Sequence, residues 1–207
     1  MTHLLTLPPT YLVTPEPQAG TPLADFIAHL ERVLEAGIRL VQLRAKSLTA
    51  LQYARLAEQA LACCRRHDAR LLLNASADVA LALQVDGVHL TSARLMACVT
   101  RPLPSGLLVS VACHDTRQVL HADRIGADLL TISPVLPTAT HTTAEPLGWP
   151  RLRELVLQTS IPVYALGGMS VDTLAQAREA GAHGIAAIRS LWDKPVIDSS
   201  INNRSTN

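Results

Sequence analysis

The sequence predicts a (β/α)8 barrel, an eight-stranded TIM-type α/β fold, and three observations predict it. Short apolar runs alternate with stretches of 3.6-residue apolar periodicity from one end of the chain to the other. The repeating unit averages about twenty-five residues, which suits a compact barrel. The loop after the first strand, from Thr14 to Gly20, lacks the glycine fingerprint that a doubly wound open sheet would place there.

The elements follow in order. A strand near 11–13 precedes a helix over 22–36, in which Leu23, Phe26, Ile27, Leu30, Val33 and Leu34 share one face, and Gly37 ends it. The next strands and helices are expected at 40–43 and 49–67, then at 71–73 and 78–84. A strand at 87–90 leads to a short helical turn near 93–98. A strand at 107–112 is followed by a helix over 116–125, and a strand at 129–132 by the longest polar loop, 134–146. A helix over 149–158, a strand at 163–166, a helix over 171–180 and a strand at 184–187 complete the series. The junctions Gly37, Gly87, Gly126 and Gly181 read as helix C-caps. Residues 1–192 are expected to hold the barrel and 193–207 to form a polar, weakly ordered tail.

Composition narrows the function. Hydrophobic residues make up 48% of the chain but aromatics only 3%, so the interior is built from Ala, Leu, Val and Ile, which fill barrel layers well. Eighteen Lys and Arg against seventeen Asp and Glu leave a net charge of +1, which argues against a nucleic-acid or anionic-membrane surface and for a small-molecule partner. No apolar run reaches membrane-spanning length, and the first residues lack the pattern of a secretory signal, so a cytosolic setting is expected. Cys63, Cys64, Cys98 and Cys113 show no paired metal-ligand spacing and read as reduced apolar fillers.

Candidate site residues are sought just after each strand, where barrel chemistry sits. Gly167 and Gly168 follow the seventh strand and Ile188 and Arg189 the eighth. Turns this small let backbone N–H groups approach an anion closely, so a phosphate is expected there. Gln42, Arg44 and Lys46 at the end of strand two place two cations and an amide together, a set that favours an anionic ligand over solvated loop charges. Asn74 either caps the turn into its helix or contacts a ligand. His89, in mid-strand, reads as a hydrogen-bonded interior histidine. His114, past strand five, either caps the following helix or projects over the mouth as a proton donor and acceptor near neutral pH. Thr138, Thr140 and His141 in the long loop either close over a ligand or are solvated.

Several of these motifs, in order, resemble the thiamine phosphate synthase and TenI superfamily of barrels: Gln42-Leu43-Arg44-Ala45-Lys46, Asn74, Gly87-Val88-His89-Leu90, Pro134 to Thr138, Gly167-Gly168-Met169 and Gly184-Ile185-Ala186. The chain also resembles the TenI-like barrel domain found behind a Nudix hydrolase in some bacterial fusions, through residues 90–96 and 185–192. The resemblance implies a phosphorylated thiazole or thiamine phosphate as ligand; a homo-oligomer and a functional link to a Nudix hydrolase are both compatible with it.

Within the superfamily, the synthase joins a pyrimidine diphosphate to a thiazole phosphate and needs Mg2+ held by carboxylates. The acidic positions of that pattern fall here on Ala75 and Arg94, its loop lysine on His141 and its strand-five serine on Ala112. TenI-like members instead shift a proton on a thiazole carboxylate phosphate without a metal, and their strand-five histidine is matched by His114. The expectation is therefore a cofactor-free thiazole phosphate tautomerase with His114 as proton shuttle. The alternatives are a Mg2+-dependent thiamine phosphate synthase and a non-catalytic binder of thiamine-related phosphates.

Overall fold

In this chain the strands are four to six residues long and buried almost throughout, and their two side-chain parities go to two different cores. In the computed structural model, which describes residues 7–138 and 145–194, Tyr11, Leu40, Leu72, Leu108, Leu129, Tyr164 and Ala186 join Leu7 in one buried cluster inside the barrel. The opposite parity, including Leu12, Val41, Leu43, Leu71, Leu73, Val88 and Ile185, packs outward against the helices. Period-two alternation of apolar residues on both faces makes an all-parallel sheet covered on both sides.

The elements are β1 (Thr10–Val13), α1 (Leu23–Glu35), β2 (Leu40–Leu43), α2 (Ala50–Arg66), β3 (Arg70–Leu73), α3 (Ala77–Ala82), β4 (Gly87–Leu90), α4 (Ser92–Ala97), β5 (Leu108–Cys113), α5 (Thr116–Arg124), β6 (Leu129–Ile132), α6 (Gly148–Val156), β7 (Val163–Leu166), α7 (Leu174–Glu179) after a 3-10 turn (Val171–Thr173), β8 (Gly184–Ala187) and α8 (Arg189–Asp193). Each strand pairs with the next in parallel, and β8 closes on β1 with Tyr11 opposite Ala186. The expected eight-stranded barrel is thus what the chain forms. Among the described residues no helix is long and apolar enough to cross a membrane.

Local signals account for the helix bounds. Thr49 caps α2 in a reciprocal box with Gln52, a device whose loss costs about 1 kcal/mol. Asp115 caps α5 by accepting from the Gln118 N–H at 2.8 Å.

Three sequence expectations need correction. Strand five begins and ends one residue later than expected, at Leu108 and Cys113. Gly87 is no cap: it opens β4, and the left-handed residue after α3 is Gln84, at φ 51°. The expected tail begins inside a helix, because Asp193 is the last residue of α8, where Leu191 and Trp192 are buried; residues 195–207 lie outside the described residues. Trp192 stacks on His29, with ring centroids 4.4 Å apart, and tilts against Phe26 at 4.8 Å. That aromatic cluster fixes α8 on α1, and a contact of such sequence separation leaves no periodic trace.

Candidate functional site

The carboxyl ends of β7 and β8 carry a turn that only glycine can make. Gly167 and Gly168 have φ of 94° and 69°, a region where a Cβ collides with the neighbouring carbonyl. Space forbids a side chain as well. A Cβ on Gly167 would lie 2.9 Å from the Pro134 Cα, and one on Gly168 would lie 2.7 Å from the Leu136 Cβ and 2.8 Å from the Pro137 carbonyl oxygen. The loop after β6 is laid against this turn by main-chain bonds: Val135 N–H donates to the Leu166 carbonyl at 2.9 Å and Leu136 N–H to that of Gly167 at 3.0 Å. Ser190 Oγ donates to the Met169 carbonyl at 2.6 Å, tying the β7 turn to the start of α8. Between them opens a cavity of about 560 Å³ whose walls include Ser133, Thr138, Gly167, Gly168, Ile188 and Arg189. That volume suits a small phosphorylated molecule.

Across the mouth, β1 to β5 contribute a hydrogen-bonded file of side chains. Asn74 Nδ2 donates to Gln42 Oε1 at 3.4 Å, Gln42 Nε2 to the Tyr11 hydroxyl at 3.2 Å, and that hydroxyl to Ser110 Oγ at 3.3 Å. Ser110 Oγ lies 2.8 Å from His89 Nδ1. Having accepted from Tyr11, the Ser110 hydroxyl has its own proton free for His89, which fits a neutral imidazole carrying its hydrogen on Nε2. Burial enforces that neutrality, pushing the imidazole pKa down to about 3. It likewise raises the Tyr11 phenol to about 12, against the lowering effect of the bonds from Ser110 and Gln42. The file ends at half-buried Asn74, so the amides of Gln42 and Asn74 meet the mouth with their orientation already set.

Arg44 and Lys46 behave differently from each other. Arg44 Nη1 is 2.9 Å from Glu16 Oε1, so the anion that the sequence reading assigned to a ligand is partly supplied from within. Glu16 also accepts from the N–H groups of Lys46 at 3.0 Å and Ser47 at 3.2 Å, and from Ser47 Oγ at 3.0 Å. Partial burial works to raise the Glu16 carboxyl, but these donors and the Arg44 charge outweigh it and hold the group below the usual carboxylate range. The Lys46 ammonium makes no hydrogen bond or ion pair among the described residues.

His114 is exposed, its Nδ1 2.7 Å from the Ser133 carbonyl oxygen at the end of β6. A carbonyl can only accept, so that bond makes Nδ1 the protonated nitrogen. The cap of α5 is Asp115, not His114. Thr138 lines the cavity, whereas Thr140 and His141 lie outside the described residues. The structure therefore gathers Gly167, Gly168, Ile188, Arg189 and Thr138 around one cavity, and joins Gln42 to Asn74 in a separate cluster. Sequence reasoning missed Glu16, Tyr11 and Ser110. Glu16 was findable as the acid in the loop after the first strand. Tyr11 and Ser110 were findable as polar atoms at inward-facing strand positions, which need partners.

A family model described as thiamine monophosphate synthase matches residues 10–191. The thiamine-phosphate synthase of Methanospirillum hungatei is 33% identical over 189 residues, covering 90% of this chain and 91% of its own length. A protein of Geobacter sulfurreducens, provisionally named a thiamine-phosphate synthase, is 40% identical over 187 residues, covering 89% and 87%. Among solved structures, the thiamine phosphate pyrophosphorylase of Pyrococcus furiosus superposes with a TM-score of 0.71 at 24% identity, covering 90% and 91%, a likeness of fold. These relatives overturn the expectation of a tautomerase. The synthase name recurs at moderate identity over most of the chain, so the isomerase reading, with His114 as its proton shuttle, is withdrawn.

Proposed function

From the premise that the chain belongs to the thiamine monophosphate synthase family, we propose that it joins a pyrimidine diphosphate to a thiazole phosphate and releases pyrophosphate. The observation that carries this reading is the glycine-built cavity between the β7 and β8 turns, found within a match that spans the whole barrel. In the reaction the thiazole nitrogen lone pair forms a C–N bond to the pyrimidine methylene carbon. The C–O bond to the diphosphate breaks, and its electron pair leaves with pyrophosphate. No proton or redox partner is consumed, so the protein's task is positioning and charge stabilisation.

In this reading the main chain at Gly167, Gly168, Ile188 and Arg189 holds the thiazole phosphate. The Gln42 and Asn74 amides take the polar edge of the uncharged pyrimidine, their orientation set by Tyr11. A ring bound by fixed amides and a phosphate bound by fixed N–H groups fix the two reacting atoms without charge in the gap between them.

The family reading implies a divalent cation, and at the two positions where the resemblance places its carboxylates the residues present do not fit one. Every Asp and Glu except Asp198 lies among the described residues, and there no three His, Cys, Asp or Glu side chains converge on one point. A Mg2+ ion held between protein and phosphates asks for one or two free carboxylates. Glu16, at the mouth, is already bonded to four donors. Ala75 is buried in the helix-facing shell, and Arg94 is a cation.

The test is to incubate the purified chain with hydroxymethylpyrimidine diphosphate and thiazole phosphate, once with Mg2+ and once with EDTA, and to separate thiamine phosphate by chromatography. Product under either condition supports the reading. Its absence under both, with the fold intact by circular dichroism, overturns it.

A further inference from the structure

The turn after β8 runs straight into a helix too short to hold itself. Helix α8 is five residues long and begins at Ile188 without a side-chain cap; the Trp192 N–H donates to the Ile188 carbonyl at 3.0 Å. A single helical turn has no stability of its own in water. Its pose, and with it the direction of the main chain at Ile188 and Arg189, is therefore set by what it packs against. On the β7 side that is the bond from Ser190 to the Met169 carbonyl. On the other side it is α1, across an interface that is incompletely filled: a cavity of about 480 Å³ opens there, with Phe26, His29, Arg189 and Trp192 among its walls.

His29 bridges that gap twice. Its ring stacks on Trp192 at an interplanar angle of 15°. Its Nε2 also lies 2.8 Å from the Trp192 carbonyl oxygen, one of the last-turn carbonyls that a helix leaves without a partner. A carbonyl only accepts, so Nε2 carries the hydrogen. Arg32, one turn further along α1, enforces that tautomer: its Nη2 is 3.0 Å from His29 Nδ1, and a guanidinium only donates, which makes Nδ1 the acceptor. A stack alone would let α8 slide over the ring. The bond to the carbonyl, with a second donor behind it, fixes where along the ring the helix stops.

We propose that His29, oriented by Arg32, is a positioning residue for the phosphate end of the ligand: by capping and stacking α8 from outside the cavity, it holds the main chain of the β8 turn in its binding pose. When this clamp is loosened, the turn spends part of its time out of that pose, and the apparent affinity falls in proportion to the time lost. The inference rests on the proposed function only for the identity of the ligand; the clamp acts on binding whether or not turnover follows.

The experiment is isothermal calorimetry of thiazole phosphate, and separately of hydroxymethylpyrimidine diphosphate, against the full chain. Wild type is compared with His29→Ala, His29→Gln and Arg32→Ala, with melting temperatures measured alongside. His29→Ala is expected to weaken thiazole phosphate about tenfold while the pyrimidine ligand, assigned to Gln42 and Asn74, changes by less than about twofold. His29→Gln keeps an N–H donor and recovers part of the loss. Arg32 is exposed, so Arg32→Ala keeps the fold and reads the clamp even where His29→Ala does not fold; it should weaken thiazole phosphate about two- to threefold. Three results overturn the proposal: no binding of thiazole phosphate to wild type, equal losses for both ligands, or a lowered melting temperature with thiazole phosphate affinity unchanged. The last would mean that His29 serves the fold alone. The two readings fail separately. Thiazole phosphate weakened selectively by His29→Ala, with no thiamine phosphate formed by wild type, removes the synthase and leaves the clamp. Thiamine phosphate formed by wild type, with thiazole phosphate bound equally by every variant, removes the clamp and leaves the synthase.

Discussion

At the β7–β8 side of the mouth the cavity is shaped by a turn of two glycines, whereas from β1 to β5 the polar groups are side chains held in place by one another. The first side depends on the absence of atoms: Gly167 and Gly168 leave room for the β6 loop to lie against the turn. The second depends on their presence, five polar side chains from five strands satisfying each other in sequence. A main-chain site tolerates almost any change except one that adds volume. A side-chain file fails when any member is shortened, because each buried neighbour then loses its partner.

The largest expected effect tests the main-chain side. Gly168→Val meets both an unfavourable φ and a collision with Leu136 and Pro137, and is expected to lower stability by about 3 kcal/mol or more in urea unfolding, with phosphate binding lost as well. Gly20→Ala supplies the reference: its φ is 80° but nothing lies within 4 Å of the added carbon, so it should cost only about 1 kcal/mol. Equal losses in the two variants would show that close packing is not what the glycine serves.

On the side-chain side, His89 makes stability depend on pH. Its native pKa of about 3 lies below the unfolded value near 6.5, so between these limits the unfolded chain binds the extra proton and stability falls as the solution is acidified. The slope from this one group approaches ~1.4 kcal/mol per pH unit, and from pH 6.5 to 4.5 the loss is about 2 kcal/mol. His89→Gln should remove that part of the slope; matching pH profiles for wild type and variant would mean that the imidazole is not held neutral.

A smaller effect is expected from Ser110→Ala, which orphans the Tyr11 hydroxyl and His89 Nδ1 at about 1–2 kcal/mol. Combined with Tyr11→Phe, the double variant should cost less than the sum of the two singles by at least ~0.5 kcal/mol. Additive losses would deny that the file acts as a unit. Smallest of all is Glu16→Gln, at under about 1 kcal/mol of stability because the Arg44 pair is partly exposed. Urea unfolding checks it, and a loss above about 2 kcal/mol would show that the four bonds to Glu16 act as a buried unit instead.

The difference between the two sides also explains what the sequence could show. Strand and helix positions were readable because burial on two faces imposes two periods, and the glycine turn was readable because paired glycines after an apolar strand have few other uses. The members of the side-chain file were visible singly as inward-facing polar positions, but their pairing was not, since Tyr11 and Ser110 stand 99 residues apart and only closure of the barrel makes them neighbours. The same holds for the partners of Glu16, since Arg44, Lys46 and Ser47 belong to the next βα loop. For His114 the placement at a strand end was legible, whereas the Ser133 carbonyl that engages its Nδ1 comes from the neighbouring strand and gives no sign in the local residues.

The bond from Ser190 to the Met169 carbonyl has a kinetic consequence. On the proposed function it couples the two turns that would hold the dianion, so that loosening one loosens the other. Departure then demands a single concerted opening, and Ser190→Ala would speed product escape out of proportion to any change in equilibrium affinity.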